Sequence, residues 1–247
     1  MNELKFLKAT CDSPSQTSED YPKWTTLDAI WWKTFGGDDY LSKYKDGYIL
    51  FHKERIKEIA NRYHIPAILL ASVARVEAGG MPDHFKDTVL NVRQADFPAK
   101  KWIERNIPTI GSPEKTSMGI IAMQIRVVAE IFGKNSDSLT SSEMTYISIC
   151  LQKDNFNLAM TAQHLNDLIH FDYPDIDTMN LNDEQFVVAG SRYNRGIQRN
   201  LNDFIRSYSA KEGTSERIWT SYGRAMLRNR ERVSRLLYRN ASIKVTP

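Results

Sequence analysis

From residue 52 onward, apolar residues recur mainly at the spacing of one helix face. Ile56 and Ile59 begin this pattern, and Pro66 then stands at the first-turn position of the segment PAILLASVARVEA. The glycine pair Gly79 and Gly80 follows this segment and predicts its end. We therefore expect two consecutive helices before the chain reaches residue 81.

Residues 81–115 contain several prolines and no sustained period, which predicts loops with room for a short β-hairpin or a short helix. The expected fold class is therefore all-α, that is, mainly helical. Further helices are expected in GIIAMQIRVVAEIFG, in NFNLAMTAQHLNDLIH with Asn155 as its N-cap, in NDEQFVVAGSRYNRG and in the basic stretch of residues 215–238.

The first 51 residues differ from the rest of the chain. They begin with a polar segment and continue with a cluster of aromatic residues, which are core residues more often than sugar-binding ones. We therefore predict an N-terminal arm of residues 1–51, packed on a main domain of residues 52–247. The clustered aromatics are Trp24, Trp31, Trp32, Phe35, Tyr40, Tyr44, Tyr48 and Phe51.

A carboxylate interrupts the apolar face of the PAILLASVARVEA helix. At about 100° of rotation per residue, Glu77 falls on the face of Leu70 and Val73, where a leucine would be expected. Apolar surroundings raise the pKa of a carboxyl group, which a general acid near neutral pH requires. The structural alternative is a glutamate at the helix end that pairs with an arginine such as Arg126.

Two more helical segments aim a polar group along an apolar stripe. Gln124 lies in line with Ile120 and Val127, and Tyr193 lies in line with Phe186. Structural hydrogen bonding explains either residue alone. Three such positions on three helices favour a shared polar cleft.

The composition predicts neither a membrane-spanning segment nor a framework of disulfide bonds. The 247 residues, 41% of them hydrophobic, can bury a sizeable core. No stretch reaches the roughly 20 apolar residues of a membrane span, and the start lacks the apolar run of a secretory signal. Cys11 and Cys150 form no CxxC motif, so we expect free thiols, with no metal and no cofactor.

Positive charge is concentrated at the C-terminal end of the chain. The net charge is +3, but arginines dominate the residues after Glu216. The alternative function is therefore a non-catalytic helical module that binds nucleic acid or peptidoglycan through this basic helix. A core-facing helix with arginines outward is favoured by the stripe of Trp219, Tyr222, Met226, Val233 and Leu237. We therefore expect no nucleic-acid partner and no stable membrane insertion.

Taken in order, the segments from about residue 52 to residue 238 resemble the lytic transglycosylases and goose-type lysozymes. The resemblance is greatest to the lysozyme-like toxin domains of type VI secretion effectors. It is carried by IPAILLASVARVEAGG, by TSMGIIAMQIRVVAEIFG in place of the family's Ser-x-Gly…Gln segment, by DNFNLAMTAQHLNDL, and by SRYNRG in place of its Tyr-Asn-x-Gly motif. It implies a lysozyme-like fold.

The resemblance implies a role for each matching residue. Glu77 would be the catalytic acid, Tyr193 would hold the sugar at the scissile bond, and Ser117, Gln124 and Asn194 would position the substrate. The chain departs from the family pattern in two places. Ala78 stands where the usual transglycosylases have serine, and the spacing from Gly119 to Gln124 is longer than in their Gly-Leu-Met-Gln pattern.

The reaction type stays open at this point. An inverting lysozyme needs a second carboxylate that activates water, whereas a transglycosylase uses groups of the substrate itself. Possible second acids in and next to the loop region after Glu77 are Asp83, Asp87, Asp96 and Glu114.

The resemblance also implies a substrate, a place of action and partners. The substrate would be the β-1,4 bond between N-acetylmuramic acid and N-acetylglucosamine in peptidoglycan. Since the start of the chain has no signal-like run, the protein would be made in the cytoplasm and delivered into the periplasm of a target bacterium as an antibacterial toxin. Its expected partners are the glycan strand, a cognate immunity protein and a component of the secretion apparatus.

Overall fold

The structure is a computed structural model that describes residues 3–12, 19–25, 28, 37–80 and 112–238. The expected all-α class with a small β-hairpin after the helix of Glu77 is confirmed. The helices are α1 (Glu3–Cys11), α2 (Gly37–Phe51), α3 (Lys53–Arg62), α4 (Ala67–Glu77), α5 (Ile125–Ile131), α6 (Ser141–Leu151), α7 (Asp154–Asp172), α8 (Asp183–Arg195), α9 (Leu201–Ser209) and α10 (Ser221–Tyr238). The strands are β1 (Ser117–Met118) and β2 (Met123–Gln124), and short 3-10 helices span Pro113–Lys115, Ser136–Ser138 and Ser215–Thr220.

The chain divides into two compact units. The first unit consists of residues 1–41 and 77–160, and the second consists of residues 42–76 and 161–247. The boundaries fall inside α2, α4 and α7. The division into an arm of residues 1–51 and a catalytic domain of residues 52–247 stays a prediction.

Helix α4 forms where the sequence predicts it and is buried along most of its length. Its residues from Leu69 to Arg75 are all buried, because apolar side chains occupy nearly every position. Arg75 is accommodated because its guanidinium donates to Asp46 Oδ1 at 2.8 Å and to Asn229 Oδ1 at 3.1 Å. After Glu77, Gly79 adopts a φ of 84°, which glycine tolerates best, and the helix ends there.

The prediction of one continuous helix from residue 119 to residue 133 is wrong in its first half. Ser117 pairs with Gln124 and Met118 with Met123 in an antiparallel hairpin, so Gln124 lies on β2 and Ile120 lies in the turn. Helix α5 begins only at Ile125. Ile120 and Gln124 are therefore not on the helix face that carries Val127.

Gly119 and Asn157 explain why this turn forms. Gly119 has a φ of 77°, and a Cβ there would lie 2.3 Å from the carbonyl oxygen of Leu151. The side chain of Asn157, on α7, accepts from the backbone N–H of Ile121 at 2.8 Å and donates to its carbonyl oxygen at 3.0 Å. Asn157 is fully buried, so these two bonds stabilise the turn in an environment without competing water.

The expectation of free thiols is wrong, because Cys11 and Cys150 form a disulfide with a Cα–Cα distance of 5.7 Å. The bond joins α1 to α6 within the first unit, and both cysteines are fully buried. The two cysteines are 139 residues apart in the sequence, so no local spacing pattern could predict that they pair.

The N-terminal end of α7 also differs from the prediction. The helix begins at Asp154, so Asn155 lies in its first turn and is not the N-cap. The backbone N–H of Asp154 instead donates to Asp20 Oδ1 at 2.8 Å, and its carboxylate accepts from the backbone N–H of Tyr21 at 2.7 Å. Residues far away in sequence thus cap this helix, which a local pattern cannot show.

In the second unit, α8 and α10 approach closely at two glycines. A Cβ on Gly223 would lie 2.0 Å from the carbonyl oxygen of Val187, and one on Gly190 would lie 2.3 Å from Met226 Sδ. Met226, Val233 and Leu237 are fully buried, which confirms that these three residues of α10 face the core. Among the described residues, no helix is both long and apolar enough to cross a membrane.

Candidate functional site

Glu77 is the last residue of α4 and lies where the buried helix ends. Its side chain is half-buried, the preceding residues Val73 and Ala74 are fully buried, and so is Ala78, which follows it. The backbone N–H of Gly80 donates to the Glu77 carbonyl oxygen at 3.1 Å and closes the turn after the helix. The carboxyl group is thus attached to a fixed backbone with apolar neighbours in sequence.

The hairpin brings together two residues that the sequence predicted to line a cleft. Ser117 and Gln124 are directly opposite each other in the β1–β2 register, so their side chains are on the same face. Both are half-buried, whereas Met118 and Met123, on the other face, are buried. Gln124 was placed on a helix by its spacing from Ile120 and Val127, and it lies instead on β2.

The side chain of Gln124 is oriented by Arg126. Arg126 Nε donates to Gln124 Oε1 at 2.6 Å, and Arg126 Nη1 lies 3.6 Å from Glu130 Oε1. Because the amide oxygen already accepts this bond, the NH₂ group is the end of Gln124 that can serve a ligand. From the sequence, Arg126 was an example of an arginine that could pair with Glu77. In the structure, Arg126 contacts Gln124 and Glu130.

The candidates for the second acid fall into two groups. Glu114 lies on the 3-10 helix Pro113–Lys115, three residues before Ser117, and is half-buried. Asp83, Asp87 and Asp96 lie outside the described residues. Of the four candidates, Glu114 is therefore the one with a known position.

The predicted site residues are distributed over both units. Glu77, Glu114, Ser117 and Gln124 belong to the first unit. Tyr193 and Asn194, near the C-terminal end of α8, belong to the second unit. The structure thus brings four of the candidates into one compact unit.

Tyr193 lies in a small aromatic cluster of the second unit. Its ring centroid is 5.8 Å from that of His164 and 6.4 Å from that of Tyr222, and its side chain is half-buried. Asn194 is exposed. Sequence reasoning did not single out His164, although it lies on a helix beside the buried Leu165 and Leu168.

Asn157 is the other residue that sequence reasoning missed. It is a fully buried polar residue on α7, between the buried apolar residues Phe156 and Leu158. The same test that identified Glu77, a polar residue on an apolar helix, would have found it. Its role is to hold the backbone of the hairpin that carries Ser117 and Gln124.

The arginines of α10 are partly engaged within the second unit. Arg224 Nη2 donates to the carbonyl oxygens of Ser207 and Tyr208, Arg230 donates to Asp183 at 2.6 Å, and Arg232 Nε donates to Asp46 at 2.8 Å. These contacts join α10 to other parts of the unit. A positive charge that has a carboxylate partner attracts a phosphate backbone less strongly.

No protein-family model matches the chain, and neither a curated protein nor a solved structure matches it. Among the described residues, no cluster of three or more His, Cys, Asp or Glu side chains could hold a metal ion. Function is therefore inferred from the chain's own residues and their positions.

Proposed function

We propose that the protein is a peptidoglycan glycosidase that cleaves the β-1,4 bond between N-acetylmuramic acid and N-acetylglucosamine, with Glu77 as the general acid. The observation that carries this proposal is the position of Glu77. It is a half-buried carboxyl group at the end of a buried helix, in the same compact unit as the hairpin with Ser117 and Gln124. The resemblance of the ordered motifs supplies the substrate class.

The end of α4 favours a carboxyl group that keeps its proton. The C-terminal end of a helix has a partial negative charge, which disfavours a second negative charge close to it. Ala74, one turn earlier on α4, and Ala78, which follows Glu77, are both fully buried. A general acid must hold its proton until the glycosidic oxygen leaves, and the helix end favours the protonated form of the carboxyl group.

The hairpin supplies groups that can position a sugar next to an acid. The Ser117 hydroxyl group can donate and accept, and the Gln124 NH₂ group can donate. Their backbone is held by the two hydrogen bonds of Asn157, so both side chains start from a rigid platform. Rigid placement of the substrate accounts for much of the rate of such reactions. We assign Tyr193 and Asn194 to sugar binding on the resemblance alone.

In the proposed reaction, Glu77 transfers its proton to the glycosidic oxygen while the bond from that oxygen to the anomeric carbon breaks. The positive charge that develops on the sugar is then quenched in one of two ways. A carboxylate such as Glu114 removes a proton from an attacking water, or a hydroxyl group of the same sugar attacks the anomeric carbon, loses its proton to the Glu77 carboxylate and forms an anhydro product. The products of the two routes differ in mass by one water molecule.

The disulfide supports the proposed place of action. Disulfides form and persist in oxidising compartments such as the periplasm and are rare in the reducing cytoplasm. The buried bond between Cys11 and Cys150 therefore fits a protein that acts in the periplasm of a target bacterium. As an antibacterial toxin it would require a cognate immunity protein in the producing cell and a component of the secretion apparatus for delivery.

Dye release from labelled peptidoglycan tests the assignment of Glu77. Glu77→Gln keeps the size and polarity of the side chain but cannot donate the proton, so release should fall by at least about 100-fold. Glu231→Gln is the matched control, because Glu231 lies on α10 with its side chain 85% exposed, and it should release dye at the wild-type rate. Equal rates for wild type and Glu77→Gln would contradict the proposal.

The proposed toxin role has its own test. Expression directed to the periplasm of a sensitive bacterium should cause lysis, while cells that receive Glu77→Gln should keep growing. Normal growth with the wild-type protein at the same level would contradict the toxin role.

A further inference from the structure

A polar cleft lies within the second unit and shares no residue with the candidate site of Glu77. Its volume is about 460 Å³, within the range of roughly 300–1,000 Å³ typical of small-molecule sites. Three segments line it: residues 62–64 at the C-terminal end of α3, one face of α7, and residues 176–178 after α7.

Helix α7 contributes a polar stripe to this cleft. Gln163, Asn166 and His170 are three and four positions apart, so they lie on one helix face. The opposite side of the helix is apolar and packs into the core. Its buried residues in this region are Leu165, Leu168 and Ile169.

The loops that form the walls are held by side-chain hydrogen bonds. Asn166 Nδ2 donates to the carbonyl oxygen of Tyr63 at 3.1 Å, and the Thr178 hydroxyl group donates to the carbonyl oxygen of His64. His64 has a φ of 50°, a left-handed conformation that a residue with a Cβ adopts at a cost of about 1–2 kcal/mol. These two bonds stabilise that conformation and fix the loop, so the cleft is largely preformed.

The groups that line the cleft fit a polar ligand. Small-molecule sites are mainly apolar, but here Ile176 is the one aliphatic side chain among the described lining residues. Within the part of the chain that the structure describes, the imidazoles of His64 and His170 make no hydrogen bond, and both residues are exposed. They are therefore available to donate to or accept from hydroxyl and amide groups. Tyr63 is also among the residues that line the cleft.

The charges in the cleft do not favour an anion. Arg62 is the one residue with a permanent positive charge among the described lining residues, and its Nη2 donates to Glu58 at 2.9 Å. The carboxylate of Asp177 lies in the same lining and would repel phosphate or sulfate. An uncharged ligand rich in hydroxyl and amide groups avoids this repulsion.

We propose that this cleft is a non-catalytic binding site for a neutral saccharide with N-acetyl and hydroxyl groups. The imidazoles of His64 and His170 and the amide of Gln163 bind these groups, and the Tyr63 ring contacts the apolar face of a sugar. This assignment does not require that Glu77 be catalytic, because binding here involves no bond cleavage.

Calorimetric titration with chitotetraose, the tetramer of N-acetylglucosamine, tests the proposal. The titration uses the full chain with Glu77→Gln, so that no probe is cleaved; any binding at the site of Glu77 is common to all the variants, and the binding that the histidine variant loses is that of the cleft. In the same background, His64→Gly with His170→Ala removes both imidazoles, and glycine keeps the left-handed conformation at residue 64 without strain. The loss of two hydrogen bonds should weaken binding at the cleft by about tenfold or more. Circular dichroism should show the same fold for all proteins.

Lys211→Gly with Glu212→Ala is the control, because both residues are exposed in the second unit and neither lines the cleft. This variant should bind chitotetraose as tightly as the parent. The proposal is overturned if the histidine variant binds as tightly as the parent, or if no protein binds the probe. It is also overturned if inorganic phosphate binds in a histidine-dependent way and chitotetraose does not. Dye release by the wild-type protein is measured separately, so failure here and failure of the glycosidase assignment are distinguishable.

Discussion

At the scale of single residues, Arg192 is the largest fully buried side chain among the residues that the structure describes. Its guanidinium donates to both carboxylate oxygens of Asp172, at 2.8 and 2.7 Å, and to the carbonyl oxygen of Arg199 at 2.7 Å. The ring centroid of Phe204 lies 4.4 Å from its central carbon. Every part of the charged group therefore has a partner, which explains how a permanent charge is tolerated in the core.

Replacement of Arg192 by Met should lower the free energy of unfolding by about 3–5 kcal/mol, because the carboxylate of Asp172 stays buried without its partner. Arg206→Met is the control: the Arg206 side chain is 67% exposed and also contacts an aspartate, Asp203, so its loss should cost less than about 1 kcal/mol. Urea unfolding of both variants measures the difference. Similar costs for the two variants would show that the buried pair has no special role.

At the scale of elements, periodicity predicted the helices whose apolar face is continuous. Helices α4 and α8 formed as expected, and α8 begins with the capping box of Asn182 and Gln185 that its sequence contains. The small hairpin was expected within residues 81–115 and lies instead at Ser117–Gln124, because apolar residues fill nearly every position of GIIAMQI and fit a buried helix as well as a strand. Only the contacts of Gly119 with Leu151 and Asn157 select the turn, and these are long-range.

Gly119→Ala should destabilise the protein more than Gly133→Ala. Both glycines have a positive φ, 77° and 74°, so both variants suffer the backbone cost of about 1 kcal/mol. A methyl group at residue 119 also collides with the Leu151 carbonyl oxygen, whereas one at residue 133 meets nothing within 4 Å. We expect about 3 kcal/mol or more for Gly119→Ala. Equal losses in denaturant melts would contradict the packing described for the hairpin.

Glu143, in the first turn of α6, should make the stability of the fold depend on pH in the acid range. Glu143 contacts Lys134 and accepts from the backbone N–H of Thr140 at 2.8 Å, which lowers the pKa of Glu143 to about 2. Because the pKa is lowered in the folded state, the ionised carboxylate stabilises the fold at pH values above the usual glutamate pKa. This stabilisation is lost as the pH falls toward about 2. Glu143→Gln should therefore cost about 1–2 kcal/mol at pH 7 and progressively less at lower pH. An equal cost at pH 7 and pH 2.5 in urea titrations would exclude this ion pair as the cause.

At the scale of the whole molecule, the sequence predicted the fold class and supplied the candidate site residues, but it did not predict the contacts that hold the first unit together. Glu77, Ser117 and Gln124 could be chosen because each is a polar residue among apolar neighbours or part of an ordered motif. The disulfide between Cys11 and Cys150 and the contacts of Asp20 and Tyr21 with Asp154 join residues more than 130 positions apart. No local pattern encodes such contacts.

Reduction of the disulfide should destabilise the protein substantially. The bond closes a loop across 139 positions, and a loop of this length corresponds to about 3–5 kcal/mol of stabilisation in the unfolded-chain model. Wild type should melt at a lower temperature in the presence of dithiothreitol. Cys11→Ala with Cys150→Ala should match the reduced wild type and should not respond to the reductant. A melting temperature that dithiothreitol leaves unchanged would show that the bond contributes nothing.

The most direct test of the central claim is the mass of the fragments that the protein releases from purified peptidoglycan. Wild type should release disaccharide-peptide fragments, and Glu77→Gln at equal concentration and with the same circular dichroism should release none. Fragments lighter by one water would identify a transglycosylase, and hydrated fragments would make Glu114 the first base to replace. Fragment release by Glu77→Gln at the wild-type rate, or none by the wild-type protein, would contradict the account.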